Sequence, residues 1–186
     1  MKKVYCDNAA STPLDKEVLG KMNNAMGMAI GNPSSIHKFG QESKAIIERA
    51  RLSVSTSLGC DRSELIFTSC GTESNNIALL GLLKTGDHLI TSTYEHPAIL
   101  KVAKLLEKKG VEVSYVKPCS NGIVLPRNIE KKIKDNTKLI SIMFANNEIG
   151  TINPINDITQ IAHSKGIYFH TDAVQYIGKK KINLKN

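Results

Sequence analysis

The chain has 186 residues, of which 41% are hydrophobic and 23% are charged, and these values exclude a disordered or fibrous protein. Its 25 basic and 17 acidic side chains give a net charge of +8, which can attract anionic partners. The lysines are spread over predicted helix faces, and aromatic residues make up only 5% of the chain, with no tryptophan. The composition therefore favours solvated helix surfaces and no nucleic-acid partner.

The sequence offers no signal for a membrane or a metal. No apolar run approaches the roughly 20 residues that cross a bilayer, and the first residues lack the apolar segment of a signal peptide. We therefore expect a cytoplasmic protein with no membrane partner. The cysteines are far apart, with no Cys-x-x-Cys pattern, which predicts reduced thiols and no zinc site. They are Cys6, Cys60, Cys70 and Cys119.

The N-terminal third shows no regular alternation of strands and helices. Its predicted elements are, in order, a short strand at 4–6, a helix at 15–28, the loop "GNPSSIH" at 31–37 and a long helix at 38–57. We expect residues 1–60 to be an N-terminal extension that leads into an α/β domain over residues 61–186.

From residue 64 onward, short β-type runs alternate with helical segments. The predicted strands are "ELIFTS" (64–69), "DHLITST" (87–93), "VEVSYV" (111–116), "KLISIMFA" (138–145) and "GIYFHTD" (166–172). The predicted helices between them are "TESNNIALLGLLK" (72–84), "PAILKVAKLLEKKG" (97–110), the shorter "RNIEKKIKD" (127–135) and "INDITQIAHSKG" (155–166). This alternation predicts a mostly parallel sheet with helices on its faces.

Polar clusters follow four of the predicted strands. They are "SCGTES", "YEHP", "NNEIG" and "HTDAVQ". Because ligands of open parallel sheets bind at the carboxyl ends of the strands, we expect these clusters to share one rim.

Three of the clusters hold candidate binding residues, and each has a simpler structural explanation. The backbone of Gly71 and Thr72, at a predicted helix start, can hold a phosphate, or Thr72 can be an ordinary cap. His96 can lie over a flat ring or make a local hydrogen bond. Asn147 offers an amide donor and acceptor, or belongs to a turn.

Asp172 is the most informative candidate because a carboxylate at the end of a central strand is costly to bury without a partner. A protonated pyridine nitrogen would be such a partner. Gln175, three residues on, can reach a phenolic oxygen on the same ring. A phosphate cradle, a stacking imidazole, a carboxylate and two amides together describe a site for pyridoxal 5′-phosphate (PLP).

Six motifs occur in an order that resembles a known family. They are "DNAASTP", "GNPSSIH", "FTSCGTESNN", "EHPAIL", "ANNEIG" and "HTDAVQ" followed by "IGK". They resemble the NifS/IscS group of cysteine desulfurases, in the class V aminotransferase superfamily, from about Val4 to Leu184. The resemblance implies the PLP-dependent type I fold and the conversion of L-cysteine to L-alanine with sulfur transfer for iron–sulfur clusters or thiolation.

The resemblance also implies roles for individual residues. Gly71 and Thr72 correspond to the phosphate loop, His96 to the ring-stacking histidine, Asn147 and Gln175 to residues near the cofactor hydroxyl, and Asp172 to the carboxylate that keeps the pyridine nitrogen protonated. His96 and Asp172 would be the catalytic residues present. Cys70 stands where many members have glycine, and we interpret it as a small buried residue before a helix and not as a nucleophile.

Two family features fall outside the matched motifs. The Schiff-base lysine lies in a Ser-x-His-Lys motif shortly beyond the position of Asn186, and the persulfide cysteine lies much further along. We expect this chain to be the N-terminal half of the enzyme, a partial large domain truncated before that lysine and inactive alone. The implied partners are L-cysteine, a second copy or a complementing C-terminal half, and an iron–sulfur scaffold or sulfur acceptor protein.

Two other interpretations stay open. The chain could be a noncatalytic remnant that binds PLP weakly or binds a partner, or a basic α/β nucleic-acid module. The resemblance also places the strand at 64–69 beside two strands that come after Asn186. We therefore expect this segment to lack sheet neighbours here, and the chain to be marginally stable alone.

Overall fold

The structure is a computed structural model that describes residues 3–28, 31–182 and 184. The chain forms two compact units, one comprising Met1–Phe67 and Ile182–Asn186, the other Thr68–Lys181. No described helix is both long enough and apolar enough to cross a membrane.

The first unit is built on two helices, α1 (Lys16–Met28) and α2 (Lys38–Leu58), which confirm the predicted helices to within about a residue. At the start of α2, His37 Nδ1 accepts a hydrogen bond from the backbone N–H of Gly40. At its end, Gly59 adopts a left-handed conformation with φ 71°, which glycine reaches without strain. The predicted strand at 4–6 is wrong, because these residues form no strand.

The predicted strand at 64–69 is also wrong. Arg62–Glu64 forms a 3₁₀ turn, and residues 65–69 pair with no strand among the described residues. Ile66 and Phe67, which would face a core in a paired strand, are 72% and 49% exposed. An extended segment becomes a strand only when a neighbour supplies ladder hydrogen bonds, so the apolar pattern alone was not sufficient.

The second unit is a four-stranded parallel sheet with helices between its strands, as the alternation predicted. The strands are β1 (His88–Ser92), β2 (Glu112–Val116), β3 (Thr137–Ser141) and β4 (Tyr168–His170). The helices are α3 (Gly71–Leu82), α4 (Pro97–Lys108), α5 (Pro126–Glu130) and α6 (Ile155–Ser164). The sheet order is β2-β1-β3-β4, and every pairing is parallel.

Alternate residues of the central strands point to two separate cores. Leu89 and Leu139 pack with α3 and α4 on one face of the sheet. Ile90 and Ile140 pack with α5 and α6 on the other. The two-residue period of a strand explains this division, and burial on both faces is typical of a parallel sheet.

His88, at the start of β1, forms side-chain hydrogen bonds with both neighbouring strands. Its side chain is fully buried, with Nδ1 2.8 Å from the Thr137 hydroxyl and Nε2 2.9 Å from the Ser114 hydroxyl. Burial lowers the pKa of His88, with a smaller raising contribution from Glu112 and a lowering one from Lys134. The neutral imidazole, with one donor and one acceptor nitrogen, therefore fits this position.

The strand order produces a switch point between β1 and β3. From β1 the chain passes through α4 to β2 on one side, then returns across β1 to β3 on the other. In open α/β sheets the crevice for ligands forms at the carboxyl ends of strands at such a point. The segments that leave β1 and β3 carry the "YEHP" and "NNEIG" clusters.

Candidate functional site

The start of α3 has no capping side-chain hydrogen bond from its N-cap residue. Cys70 is the N-cap of this helix, and its side chain makes no capping hydrogen bond, so the first-turn amides of Gly71 and Thr72 have no side-chain acceptor from that residue. Cys70 is exposed, so the interpretation of a buried residue was wrong. The N–H of Glu73 and the hydroxyl of Ser69 lower the pKa of the Cys70 thiol.

Gly71 also lets this helix start approach the turn that follows β4. A Cβ built at Gly71 would lie 3.1 Å from Cγ2 of Val174, closer than most such contacts. One turn further along α3, buried Asn75 donates from Nδ2 to Oδ2 of Asp172 across 2.8 Å. The helix start and the candidate carboxylate are therefore joined directly, and no pattern in the sequence singled out Asn75.

Asp172 is half-buried and receives a hydrogen bond on each carboxylate oxygen. Besides Asn75 on Oδ2, the backbone N–H of Val174 donates to Oδ1 at 3.1 Å. Its own carbonyl accepts from Phe144 N at 2.9 Å, which extends the pairing of β3 with β4. None of the ion pairs among the described residues includes Asp172. The carboxylate is thus oriented by two neutral donors, and no cation pairs with it among the described residues.

His96 is the N-cap of α4, where Pro97 occupies the first helical position. Its Nδ1 accepts from the backbone N–H of Ala98 at 3.1 Å, which fixes the ring. His96 and Thr72 line the same cleft of about 400 Å³, within the size range of small-ligand sites. Lys101 adds a positive charge to the lining of this cleft.

Asn147 and Gln175 lie on the expected rim segments, but their side chains bond to local neighbours. Nδ2 of Asn147 donates to Oε1 of Glu148 at 2.9 Å. Oε1 of Gln175 accepts from Nζ of Lys179 at 2.6 Å. Their roles near a cofactor hydroxyl therefore stay predictions.

The adjacent Asn146, and not Asn147, forms the "NNEIG" turn. Its Oδ1 accepts from the backbone N–H groups of Glu148 and Ile149 at 2.9 and 3.0 Å. Its Nδ2 donates to the carbonyl of Tyr94 at 3.1 Å, so this turn is held against the segment that leaves β1.

Glu95 is a site residue that the sequence analysis missed. It is 4% exposed, and its Oε1 accepts from the Ser92 hydroxyl at 2.6 Å and from Met143 N at 3.0 Å. Burial, with a small contribution from the charge of Asp172, raises the pKa of Glu95 to about 7, against the lowering effect of the bonds from Ser92 and Met143. Because glutamate is usually exposed, its identity gave no indication of this position.

A Ser-x-His-Lys tetrapeptide does occur in the sequence, at Ser35–Lys38. It belongs to the "GNPSSIH" motif and does not follow "HTDAVQ" as the resemblance requires. Lys38 begins α2, and its Nζ lies 3.9 Å from Oε1 of Glu42, with 85% of the lysine side chain exposed. Lys179, Lys180 and Lys181, which follow β4, are also exposed.

The geometry suits a ligand with two charged ends. A half-buried carboxylate without a cation favours a protonated nitrogen, because opposite charge lowers the cost of burying it. A helix start whose N-cap side chain makes no capping hydrogen bond favours an anion such as phosphate. An imidazole fixed in the same cleft as Thr72 adds a flat surface.

Comparison with known proteins gives one family and many relatives. The model of the family described as aminotransferase class-V matches residues 4–186. The cysteine desulfurase IscS of Dictyoglomus turgidum is 48% identical over 98% of this chain and 48% of its own length. The protein of the same name from Methanosarcina thermophila is 48% identical over 99% of this chain and 46% of its own.

Solved structures agree with these relatives. A NifS-like protein superposes with a TM-score of 0.93 at 41% identity, covering all of this chain and 52% of that one. A structure of SspA in complex with cysteine gives a TM-score of 0.90 at 38% identity, over 95% of this chain and 52% of that one. The chain thus spans about half the length of the relatives that it matches.

Proposed function

Because the chain belongs to the aminotransferase class-V family, we propose that it forms the cofactor-binding part of a PLP-dependent cysteine desulfurase. Such an enzyme takes sulfur from L-cysteine, leaves L-alanine, and passes the sulfur to an acceptor protein. Cysteine desulfurase is the name carried by the two relatives described above, each 48% identical to this chain.

The observation that carries the proposal is the environment of Asp172. Its carboxylate is half-buried and hydrogen-bonded by Asn75 and Val174, and no ion pair among the described residues compensates its charge. A carboxylate of this kind favours a protonated ring nitrogen over a neutral one. This preference supports PLP, whose pyridine nitrogen gains electron-withdrawing power on protonation.

The other residues fit the remaining parts of PLP. The first-turn N–H groups of Gly71 and Thr72 suit the phosphate, and a side chain at Gly71 would crowd Val174. The His96 ring, fixed by Ala98 N, offers a face for the pyridine ring. We assign the cofactor hydroxyl to Asn147 and Gln175, which requires both side chains to leave their present local partners.

When bound, PLP supplies an electron sink for bond cleavage at the amino acid. The chain's own residues bind and orient it. Asn75 holds the Asp172 carboxylate in one orientation, and Asp172 would favour a proton on the ring nitrogen of the bound cofactor. The dipole of α3 would favour the anionic end of the cofactor, and His96 would offer a flat surface to its ring.

The first test measures PLP binding by absorbance titration of the purified chain. Asp172→Asn removes the charge and should weaken binding by about tenfold or more, since a charge-assisted contact contributes about 1.5–3 kcal/mol. Asp157→Asn is the matched control, because Asp157 is exposed on α6. Equal affinities of the two variants would contradict the proposed role of Asp172.

The second test measures activity by complementation. The chain is mixed with a polypeptide that covers the second half of the Dictyoglomus turgidum relative, with PLP, L-cysteine and a reductant. We expect sulfide release only from the mixture, and its loss with Asp172→Asn. Release no faster than with free PLP, although the two polypeptides form a complex, would reject the desulfurase function.

The remaining assignments are proposals that rest on family membership alone. They are a two-part organisation at 1–60 and 61–186, a cytoplasmic location, assembly as a homodimer or with a complementing C-terminal half, and delivery of sulfur to an iron–sulfur scaffold or acceptor protein. Size-exclusion chromatography with light scattering, with and without the complementing polypeptide, tests the assembly.

A further inference from the structure

Glu95 is the one acidic side chain in the interior of the residues that the structure describes. It lies three residues after the end of β1, at the switch point where the segments that leave β1 and β3 meet. Acidic residues are almost never fully buried unless they are paired. The position of Glu95 therefore calls for a physical reason.

The two oxygens of Glu95 have different surroundings. Oε1 accepts two hydrogen bonds, from the Ser92 hydroxyl at 2.6 Å and from Met143 N at 3.0 Å. Oε2 is buried and has no hydrogen-bond partner among the described residues. An ionised side chain would leave negative charge on a bare buried oxygen, whereas a proton on Oε2 removes that charge. The geometry thus favours the neutral acid.

Asp172 and Glu95 are electrostatic neighbours that differ in burial and in hydrogen bonding. Asp172 is only half-buried and has a donor on each oxygen, which stabilises its carboxylate. Glu95 is nearly fully buried, and the charge of Asp172 disfavours a second negative charge beside it. Of two neighbouring carboxyl groups, the more deeply buried one is the one whose ionisation costs more free energy.

Glu95 also connects the two segments that carry site residues. Its bond to Met143 N joins the turn before α4 to the segment after β3. The bond from Asn146 to the Tyr94 carbonyl supports the same junction. His96 follows Glu95 directly, so this junction sets where the imidazole stands.

We propose that Glu95 is a positioning residue that favours the neutral carboxylic acid form, fixes the turn carrying His96 to the end of β3, and in that form places no second negative charge beside Asp172. The part that concerns Asp172 and the cofactor rests on the proposed function. The protonation of Glu95 does not, because it follows from the protein alone.

The titration of Glu95 lies close to neutral pH. Burial raises its pKa from 4.5 to about 7, against the lowering effect of the bonds from Ser92 and Met143. Among the described residues, the titratable groups that couple to it are Asp172, from the turn after β4, and the adjacent Tyr94. His170 on β4 couples to Asp172 in turn, and burial lowers the pKa of His170.

The direct test is a ¹³C NMR titration of the chain labelled at glutamate side-chain carboxyls. One resonance should titrate with a midpoint near 7, be absent in Glu95→Gln and remain in Glu130→Gln, since Glu130 is exposed. Ser92→Ala removes a bond that lowers this pKa, so it should move the midpoint upward in a chain that keeps Glu95. Amide chemical-shift dispersion confirms that each variant is folded.

A second measurement follows PLP affinity against pH. Glu95→Gln and Glu130→Gln should bind PLP alike at about pH 6, where Glu95 is neutral, and diverge at about pH 8.5, where only Glu95 adds a charge. Titrations of the cofactor itself are common to both variants and cancel. Parallel profiles over the whole range would overturn the positioning role.

The two failures are distinguishable. If every glutamate titrates near 4.5 while PLP binding still depends on Asp172, the inference about Glu95 is wrong and the proposed function stands. If one glutamate titrates near 7 but no variant binds PLP, the proposed function and the positioning role fail together, and only the neutral state of Glu95 survives.

Discussion

Substitution of Asn153 should clearly destabilise the second unit, because Asn153 bonds to the segments that follow β1 and β3. It is 2% exposed, and its Oδ1 accepts from Val124 N at 2.9 Å and from the Tyr94 hydroxyl at 3.1 Å. Its Nδ2 donates to the carbonyl of Met143 at 2.8 Å. Asn153→Ala therefore leaves two buried backbone groups without partners, the N–H of Val124 and the carbonyl of Met143.

The cost follows from these two groups. Each unpaired buried polar group costs about 1–3 kcal/mol, so we expect Asn153→Ala to lower the free energy of unfolding by about 3 kcal/mol. With a slope of about 2 kcal/mol per molar urea, the unfolding midpoint should fall by about 1.5 M. Asn153→Asp keeps both acceptor contacts but sets an oxygen against the Met143 carbonyl, so it should also destabilise the protein.

Urea unfolding followed by circular dichroism provides the assay. Asn156→Ala is the matched control, because Asn156 is exposed on α6 and its loss should cost no more than about 0.5 kcal/mol. A cost below about 1 kcal/mol for Asn153→Ala would show that water or local rearrangement satisfies the two backbone groups, and would refute the reasoning.

Three further predictions concern pH, exchange and covalent chemistry. Burial lowers the pKa of His88, so the contribution of His88 to the free energy of unfolding is fully present above its ordinary pKa of 6.5 and is lost as the pH falls through the folded-state pKa. The plot of unfolding free energy against pH should lack this loss for His88→Gln. The control His163→Ala, at an exposed histidine, should keep it. Amide hydrogens of residues 65–69 should exchange much faster than those of β1, and equally slow exchange of both by NMR would mean that the segment is paired. Borohydride treatment of the 186-residue chain with PLP should give no stoichiometric adduct at one lysine by mass spectrometry, and an adduct at Lys38 or any other single lysine would identify a substitute Schiff-base residue.

The sequence by itself determined the local elements and the rim that carries the site. Helix periodicity, with Pro97 at a first position, gave most helix bounds closely, although α5 ends at Glu130, before the end of its predicted segment. The alternation of apolar runs with helices gave the parallel sheet. Three of the polar clusters could be assigned to one rim because parallel strands all end on the same side, whereas "SCGTES" follows a segment that forms no strand. These features depend on neighbours in sequence or on general rules of connection.

Only the tertiary structure decided strand pairing, side-chain contacts and burial that involve residues far apart in sequence. Residues 65–69 have strand-like composition but form no strand, because no described segment pairs with them. Asn75 orients Asp172 from 97 residues away, a contact that only the packing of α3 on the turn after β4 creates. Burial also depends on how distant segments pack, and the sequence gives no sign that Glu95 is buried. Its pKa rises to about 7 because the folded chain removes it from water.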